Sequence, residues 1–468
     1  MLDSAVSRRI AEHVVSTDFA ALPPAVVAAT KRSLLDALGV MLAATTLGEG
    51  TEAFARLALS GPDQGTVLIG RGRRAPLLAA VLANGALAHA IDFEDGHDGA
   101  PVHPNAVQTP AALGLAEAQG GVSGRDLIVA LAIGCDLACR LGLALTTDPA
   151  RLGWYPPPIL GGFGAVAACA KLARLTSEQI VDAFSLQLCS ATCSGEIKYS
   201  SRSEIRAVRD AFPAQAAVQS VLLAREGVAG FDAPLEGKAG LFALYAQGGY
   251  DQAMLLDSLG QRFEGERLTL KAWPSCRGTH AFIEGALAIR EEDGFGPGNI
   301  AEVRLRGHPV MRMLDEPHDA KRAPATAIDA KFSAPFVTAT ALLRGAVTLE
   351  SFFPLSLRQP DVLALARRTR FAVMEDAQPD AIAAGAITVR MDDGREFERS
   401  VPQPFGSPAN PIDAAALETK FRQCATYAAH APSPLALDGI VGMISSLEDL
   451  DDLGPLFALL GPDPNKPD

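Results

Sequence analysis

Apolar residues recur at helical spacing along most of this chain. Val6, Ile10, Val14 and Val15 predict an amphipathic helix over residues 1 to about 20. Pro23 and Pro24 open a second, through Leu42, where Val26, Val27, Leu34, Leu35, Leu38 and Leu42 make a wide apolar stripe. Thr66 to Gly70 is a short β-like run, followed by a basic turn whose Arg71, Arg73 and Arg74 read as solvated surface. From Ala75 to Leu145 the pattern is helix, loop, helix, helix. Its last stretch, LIVALAIGCDLACRLGLAL, is apolar apart from Asp136 and Arg140, which are placed to pair on one face of a core helix. Gly153 to Gly164 reads as irregular, and Gln179 to Leu188 as helical.

After a helix to about Leu259 the texture changes. Arg267 to Trp273 is short and β-like, Pro274 to Arg277 is a break, and a helix follows from Thr279. Ala301 to Gly307 alternates like a strand. Ala386 to Val401 reads as a hairpin around Asp393-Gly394, with helices at Ser333 to Leu343 and Asp361 to Arg367 in between. Helical pattern resumes from Asp413. The expected architecture is mainly α: a large all-helical domain over 1–266 and 406–460, an inserted smaller α+β domain over 267–405, and a disordered tail over 461–468.

Composition narrows the function. A chain of 468 residues with 48% hydrophobic and 20% charged residues holds a large core in two or three domains. The net charge of -13 argues against nucleic-acid or anionic membrane partners. An anionic substrate would therefore need its cations gathered locally. Seven cysteines without a C-x-x-C pair suit reduced thiols, and the N-terminus has no secretory pattern. No apolar window is long enough to span a membrane, so the expected location is the cytoplasm.

The chemistry concentrates in NGALAHAIDFEDGHDGAPVHPNAVQTP, residues 84–110, which holds three of the eight histidines together with Asp92, Glu94, Asp95 and Asp98. Its first part reads as the last turns of a buried helix carrying His89 and Asp92 on one face, and His97 to His103 as an irregular loop. A new helix then follows, with Pro110 in its first turn. A metal site is conceivable there, but the spacing matches no known ligand pair. Structural histidines are the better reading for His89 alone. Acid/base work by Asp92 and His103 is the third, because imidazole exchanges protons near neutral pH. Farther on, Lys198, Arg202, Arg206 and Arg209 form a basic run, either a solvated face or a wall for carboxylates, since guanidinium matches carboxylate with paired hydrogen bonds.

NGALAHAIDFEDGH followed by HPNAVQTPAALGLAEA resembles the signature of the MmgE/PrpD family. The resemblance continues in GGFGAVAACAKLARLTSEQI, FDAPLEGKAGLFALYA, LKAWPSCRGTHAFIEGALAI, DAKFSAPFVTATALL and NPIDAAALETKF, and so covers most of the chain. It implies a helical domain with the α+β insert as a lid, a homodimer, no cofactor and no metal. The implied activity lies next to a carboxylate of a small di- or tricarboxylic acid. Carried over by position, the family pattern retains Asp92, His103 and Lys271, and lid closure would bring the Lys271 ammonium to the substrate.

Other positions depart from it. Gly96 stands where threonine is common, and Gly153-Trp154-Tyr155 where G-F-H is common. Ile205-Arg206-Ala207-Val208-Arg209 stands for T-K-x-x-H, and Phe336 for a tyrosine. Arginine keeps positive charge but carries protons poorly. The expected roles are His103 as principal base or acid, Asp92 as its partner, and Tyr155 as a second proton donor. Arg206, Arg209 and Lys271 would be carboxylate-binding cations, with Gly96, His97, Arg277 and Phe336 also lining the substrate. Dehydration of a 2-methylcitrate-like acid is the first expectation. Epimerisation of an iminodisuccinate-like dicarboxylate and cis-aconitate-like decarboxylation are alternatives. A catalytically silent carboxylate binder is the alternative from another class.

Overall fold

The structure is a computed structural model that describes residues 6–200, 203–375 and 381–462. Arg202 of the basic run lies outside the described residues, as does the tail from residue 463. The chain divides into two compact units, Met1–Leu268 with Asp413–Asp468, and Thr269–Ile412.

The first unit is helical. Its centre is built from Pro24–Leu47, Pro104–Gln119, Gly124–Leu143 and Pro156–Leu172, which are buried along most of their lengths. That fits their sequences, which are apolar or small on every face. Gly124–Leu143 and Pro156–Leu172 cross where glycine meets glycine. A Cβ on Gly164 would lie 2.5 Å from the Gly134 carbonyl oxygen, so neither position has room for a side chain. Asp136 and Arg140 pair at 2.7 Å within this core, as their spacing predicts. Arg140 also donates to the Asp257 and Arg262 carbonyls, which satisfies a charge that is otherwise costly to bury. Ala414–Ala425, from the C-terminal segment, packs on Pro24–Leu47, with Phe421 against Gly39.

The second unit holds a four-stranded sheet in the order Thr369–Val373, Ile300–Gly307, Gly385–Met391, Glu396–Val401. The hairpin around Asp393-Gly394 is present, with Val389 opposite Phe397. Val303, Leu305, Ile387 and Val389 form a core with Phe282 and Ile283 of His280–Arg290 and with Phe336 and Val337 of Ala334–Arg344. On the exposed face, Arg306 pairs with Glu398 at 2.5 Å.

Several local expectations change. The helix before the histidine-rich loop, Leu77–Leu87, ends ahead of His89, and Asp92 has a left-handed backbone with φ of 52°. His89 and Asp92 therefore meet across a turn rather than along a helix face. Pro110 lies inside Pro104–Gln119, not in its first turn. Helix replaces the expected irregular stretch from Pro156 onward, because the first turn of a helix has no acceptors for its N–H groups and three prolines there forfeit nothing. The basic run is broken into Gly195–Lys198 and Ile205–Val208. The region expected as a helix to about Leu259 is two short pieces, Leu241–Ala246 and Gln252–Leu256, interrupted at Gln247 and Gly248 with positive φ. Thr369–Val373, parallel to Ile300–Gly307, was not foreseen. Among the described residues no helix is long and apolar enough to cross a membrane.

Candidate active site

The histidine-rich loop folds around Glu94. This carboxylate is 1% exposed. Its Oε1 hydrogen-bonds His89 Nδ1 and stands 3.2 Å from His103 Nδ1. His103 Nδ1 is also 2.7 Å from the Asp95 carbonyl oxygen, which only accepts, so the ring proton is on Nδ1 and the basic lone pair of the neutral ring on Nε2. Asp92 Oδ1 approaches His89 Nε2 at 3.8 Å. Gly96 matters by what it lacks: a Cβ there would lie 3.3 Å from His103 Nδ1, so a larger residue at this position would crowd the imidazole.

The loop is held from behind. Gln108 Nε2 donates to the Leu131 carbonyl and to Asn105 Oδ1, and Asn105 in turn donates to Asp95. Burial pushes the Asp95 carboxyl up to about 7, aided by the charges of Asp36 and Glu94. Lys420 donates to the Phe93 carbonyl at 2.7 Å and pairs with Asp36 at 2.6 Å, tying the loop to two helices. His97 Nδ1 accepts from the Gly99 amide, leaving Nε2–H to Glu264 at 3.3 Å. His97 is thus engaged within the first unit, 7% exposed.

A second group adjoins this one. Tyr155 is positioned by strand-like pairing of 153–155 with 193–195: the Tyr155 amide donates to the Cys193 carbonyl and the Gly195 amide to the Gly153 carbonyl. The Arg209 guanidinium lies 5.1 Å from the Tyr155 ring centroid, and the Lys198 ammonium 5.2 Å. Arg209 is buried. It donates to the Arg206 carbonyl at 2.6 Å, and its Nη2 is 3.7 Å from Asp210. Its Nε and Nη2 make no hydrogen bond among the described residues. Burial raises the Asp210 carboxyl to about 6 against the opposing charge of Arg209, and the Glu94 charge bears on both Arg209 and Asp210. The two groups thus lie within electrostatic reach of one another. An open groove of about 580 Å³ near Phe54, Ile205 and Phe212 contains none of these residues.

The remaining predicted positions belong to the second unit. Lys271 is 1% exposed. Arg277 faces the Pro404 and Phe405 carbonyls at 3.4–3.5 Å, and Phe336 packs against Phe352 in the core.

Sequence reasoning gave no individual role to Glu94, took His89 as structural, and placed Lys198 only within the basic run. Glu94 was visible only as one acid in a run of three. His89, Glu94 and His103 each offer a ligand atom, all within 4.8 Å of one another, a set chemically suited to a divalent transition metal. In this geometry His89 Nδ1 is hydrogen-bonded to Glu94 and His103 Nδ1 to the Asp95 carbonyl, with Glu94 Oε1 3.2 Å from His103 Nδ1.

Residues 8–253 match the MmgE/PrpD N-terminal domain, and residues 273–433 match the MmgE/PrpD C-terminal domain. The chain belongs to the MmgE/PrpD family. It is 27% identical over 461 residues to the cis-aconitate decarboxylase-like protein oryM of Aspergillus oryzae, covering 94% of each chain. It is 26% identical to the cis-aconitate decarboxylases of Mus musculus and Homo sapiens, covering 94% of this chain and 90% and 91% of theirs.

Proposed function

We propose that the protein is a cofactor-independent lyase that breaks a bond next to a carboxylate of a small di- or tricarboxylic acid. The supporting observation is the Glu94-bridged pair His89 and His103 in the same electrostatic cluster as buried Arg209. Removing a proton or CO2 beside an ionised carboxylate loads negative charge onto carbon. A buried guanidinium close by, here Arg209, stabilises that charge. In this reading the Asp95 carbonyl fixes the His103 tautomer and Glu94 stabilises its charged ring, His103 takes a proton through Nε2 where the reaction removes one, Arg209 and Arg206 bind carboxylate, and Tyr155 polarises the site.

Decarboxylation of a cis-aconitate-like acid is placed first because the relatives carry that activity in their names over nearly the full chain. Dehydration of a 2-methylcitrate-like acid is second, supported by the retained Asp92, His103 and Lys271. Proton NMR in D2O with cis-aconitate, 2-methylcitrate, citrate and iminodisuccinate separates the readings. Deuterated product with one carboxylate fewer marks the decarboxylase, new vinyl signals from a hydroxy acid the dehydratase, and deuterium uptake without net conversion an epimerase. Stabilisation by these acids with no conversion would leave a carboxylate-binding protein instead.

A further inference from the structure

Arg206 and Arg209, which stand for a lysine and a histidine in the family pattern that the sequence resembles, carry protons poorly, and the fold places a lysine beside Tyr155 from elsewhere in the sequence. The pairing of 153–155 with 193–195 ends at Gly195. A 3-10 turn, Gly195–Lys198, begins there, with the Ser194 hydroxyl accepting from the Glu196 amide at 3.1 Å. The turn brings Lys198 back onto the very residue that the pairing positions: its Nζ is 5.2 Å from the Tyr155 ring centroid, which also has Arg209 at 5.1 Å. Two cations on one phenol ring repel each other, and an anion bound beside them relieves that repulsion. Arg209 is buried, whereas Lys198 is only partly so and stays accessible to a solute.

We infer that Lys198 is a catalytic residue of this site, contacting the substrate through its ammonium and acting as the proton donor of the lyase step. The inference rests on the function proposed above. In decarboxylation the bond from carbon to the departing carboxylate breaks, CO2 leaves, and the electron pair stays on carbon, conjugated with the remaining carboxylates. That carbon takes a proton from the Lys198 ammonium, and the resulting amine is reprotonated by water. In dehydration His103 Nε2 takes the proton from carbon, the C–H electron pair forms the double bond as the C–O bond breaks, and the Lys198 proton goes to the departing hydroxyl. Nothing is oxidised or reduced. Burial, together with the nearby Arg206 charge, holds Lys198 below the usual lysine range against the opposing charge of Asp148, which makes its ammonium a readier donor.

The test combines labelling with turnover. The full-length protein is labelled competitively with acetic anhydride across a pH series, with and without tricarballylate as an unreactive tricarboxylate, and acetylation is read by peptide mass spectrometry. Lys198 is expected to label at lower pH than exposed Lys238 and to be protected several-fold by tricarballylate, with Lys238 unaffected. Lys198→Arg keeps the charge and is expected to lower kcat by about 100-fold with little change in KM, whereas Lys198→Met raises KM as well. Lys198→Arg turning over within twofold of the parent overturns the inference, and so does unprotected labelling at Lys198. Should the parent convert none of the four acids, the proposed function fails, and the protection experiment alone still decides whether Lys198 meets a polycarboxylate.

Discussion

Glu94 and His103 are joined at 3.2 Å between Oε1 and Nδ1, and the same oxygen holds His89. His103, the proposed base, therefore has a carboxylate beside it two residues beyond Asp92, and that carboxylate is buried. A carboxylate behind an imidazole fixes its tautomer and stabilises the charged ring that forms during proton transfer. Glu94→Gln keeps the shape and removes the charge. Turnover of the substrate is expected to fall roughly 100-fold with KM nearly unchanged. Wild-type kcat in Glu94→Gln would reduce Glu94 to a structural part.

Lys420 ties Phe93 and Asp36 together from the C-terminal segment. Removing one partner of a buried pair leaves the other charge uncompensated, at a cost of about 3–5 kcal/mol. Lys420→Met should destabilise the protein by that order, and Asp36→Asn combined with Lys420→Met by clearly less than the two single changes summed. Denaturant unfolding of the four proteins in a double-mutant cycle tests this, and additive losses would deny the coupling.

The sequence made the apolar helices legible because they are apolar all round, and the hairpin because Asp393-Gly394 sits between alternating segments. The 84–110 loop also stood out, through its histidines and acids. What stayed hidden depended on chain reversals. The left-handed turn at Asp92 swings Glu94 inward between two imidazoles, and no spacing rule anticipates that. Lys198 reaches Tyr155 only through pairing between segments about 40 residues apart in the chain. Thr369–Val373 is a strand only because Ile300–Gly307 offers it a parallel edge. Type and density of residues were readable, while mutual orientation was a tertiary property.

The glycine crossing of the first unit links packing to the site. A Cβ at Gly134 would stand 2.3 Å from Gln108 Oε1 and 2.6 Å from the Gly164 carbonyl oxygen. Gln108 is also the support of Asn105, and through it of Asp95. Gly134→Ala should cost about 1–3 kcal/mol by overpacking and also lower kcat. Ala138→Gly, which opens space at the same crossing near Gly164, should leave kcat unchanged. Thermal unfolding and turnover measured together distinguish the two, and a stable Gly134→Ala with full activity would contradict the coupling.

EDTA is expected to leave activity intact. His89 Nδ1 and Glu94 Oε1 are hydrogen-bonded to each other, and the proton on His103 Nδ1 is held by the Asp95 carbonyl. Turnover lost to EDTA and restored by zinc or iron(II) would make the cluster a metal centre.

Asp95 makes the stability of the first unit depend on pH in a predictable direction. Its carboxyl stands at about 7 when folded, against an ordinary 3.8, with burial the main cause. Below pH 3.8 both states hold the proton and Asp95 contributes no difference. Between 3.8 and 7 the folded state keeps the proton that the unfolded state has lost, so rising pH weakens folding by up to about 1.4 kcal/mol per unit. Above 7 the penalty is complete. His13, lowered to about 4 by burial and by the charges of Arg140 and Lys171, acts in the opposite sense between 4 and its ordinary 6.5. That contribution is common to parent and variant and cancels in their difference. Asp95→Asn keeps an oxygen for Asn105 and removes the charge that Asp36 and Glu94 oppose. Its melting temperature should exceed the parent's by several degrees at pH 8, and the gap should shrink steadily toward pH 4.5. A gap of the same size at both ends would place the titration elsewhere.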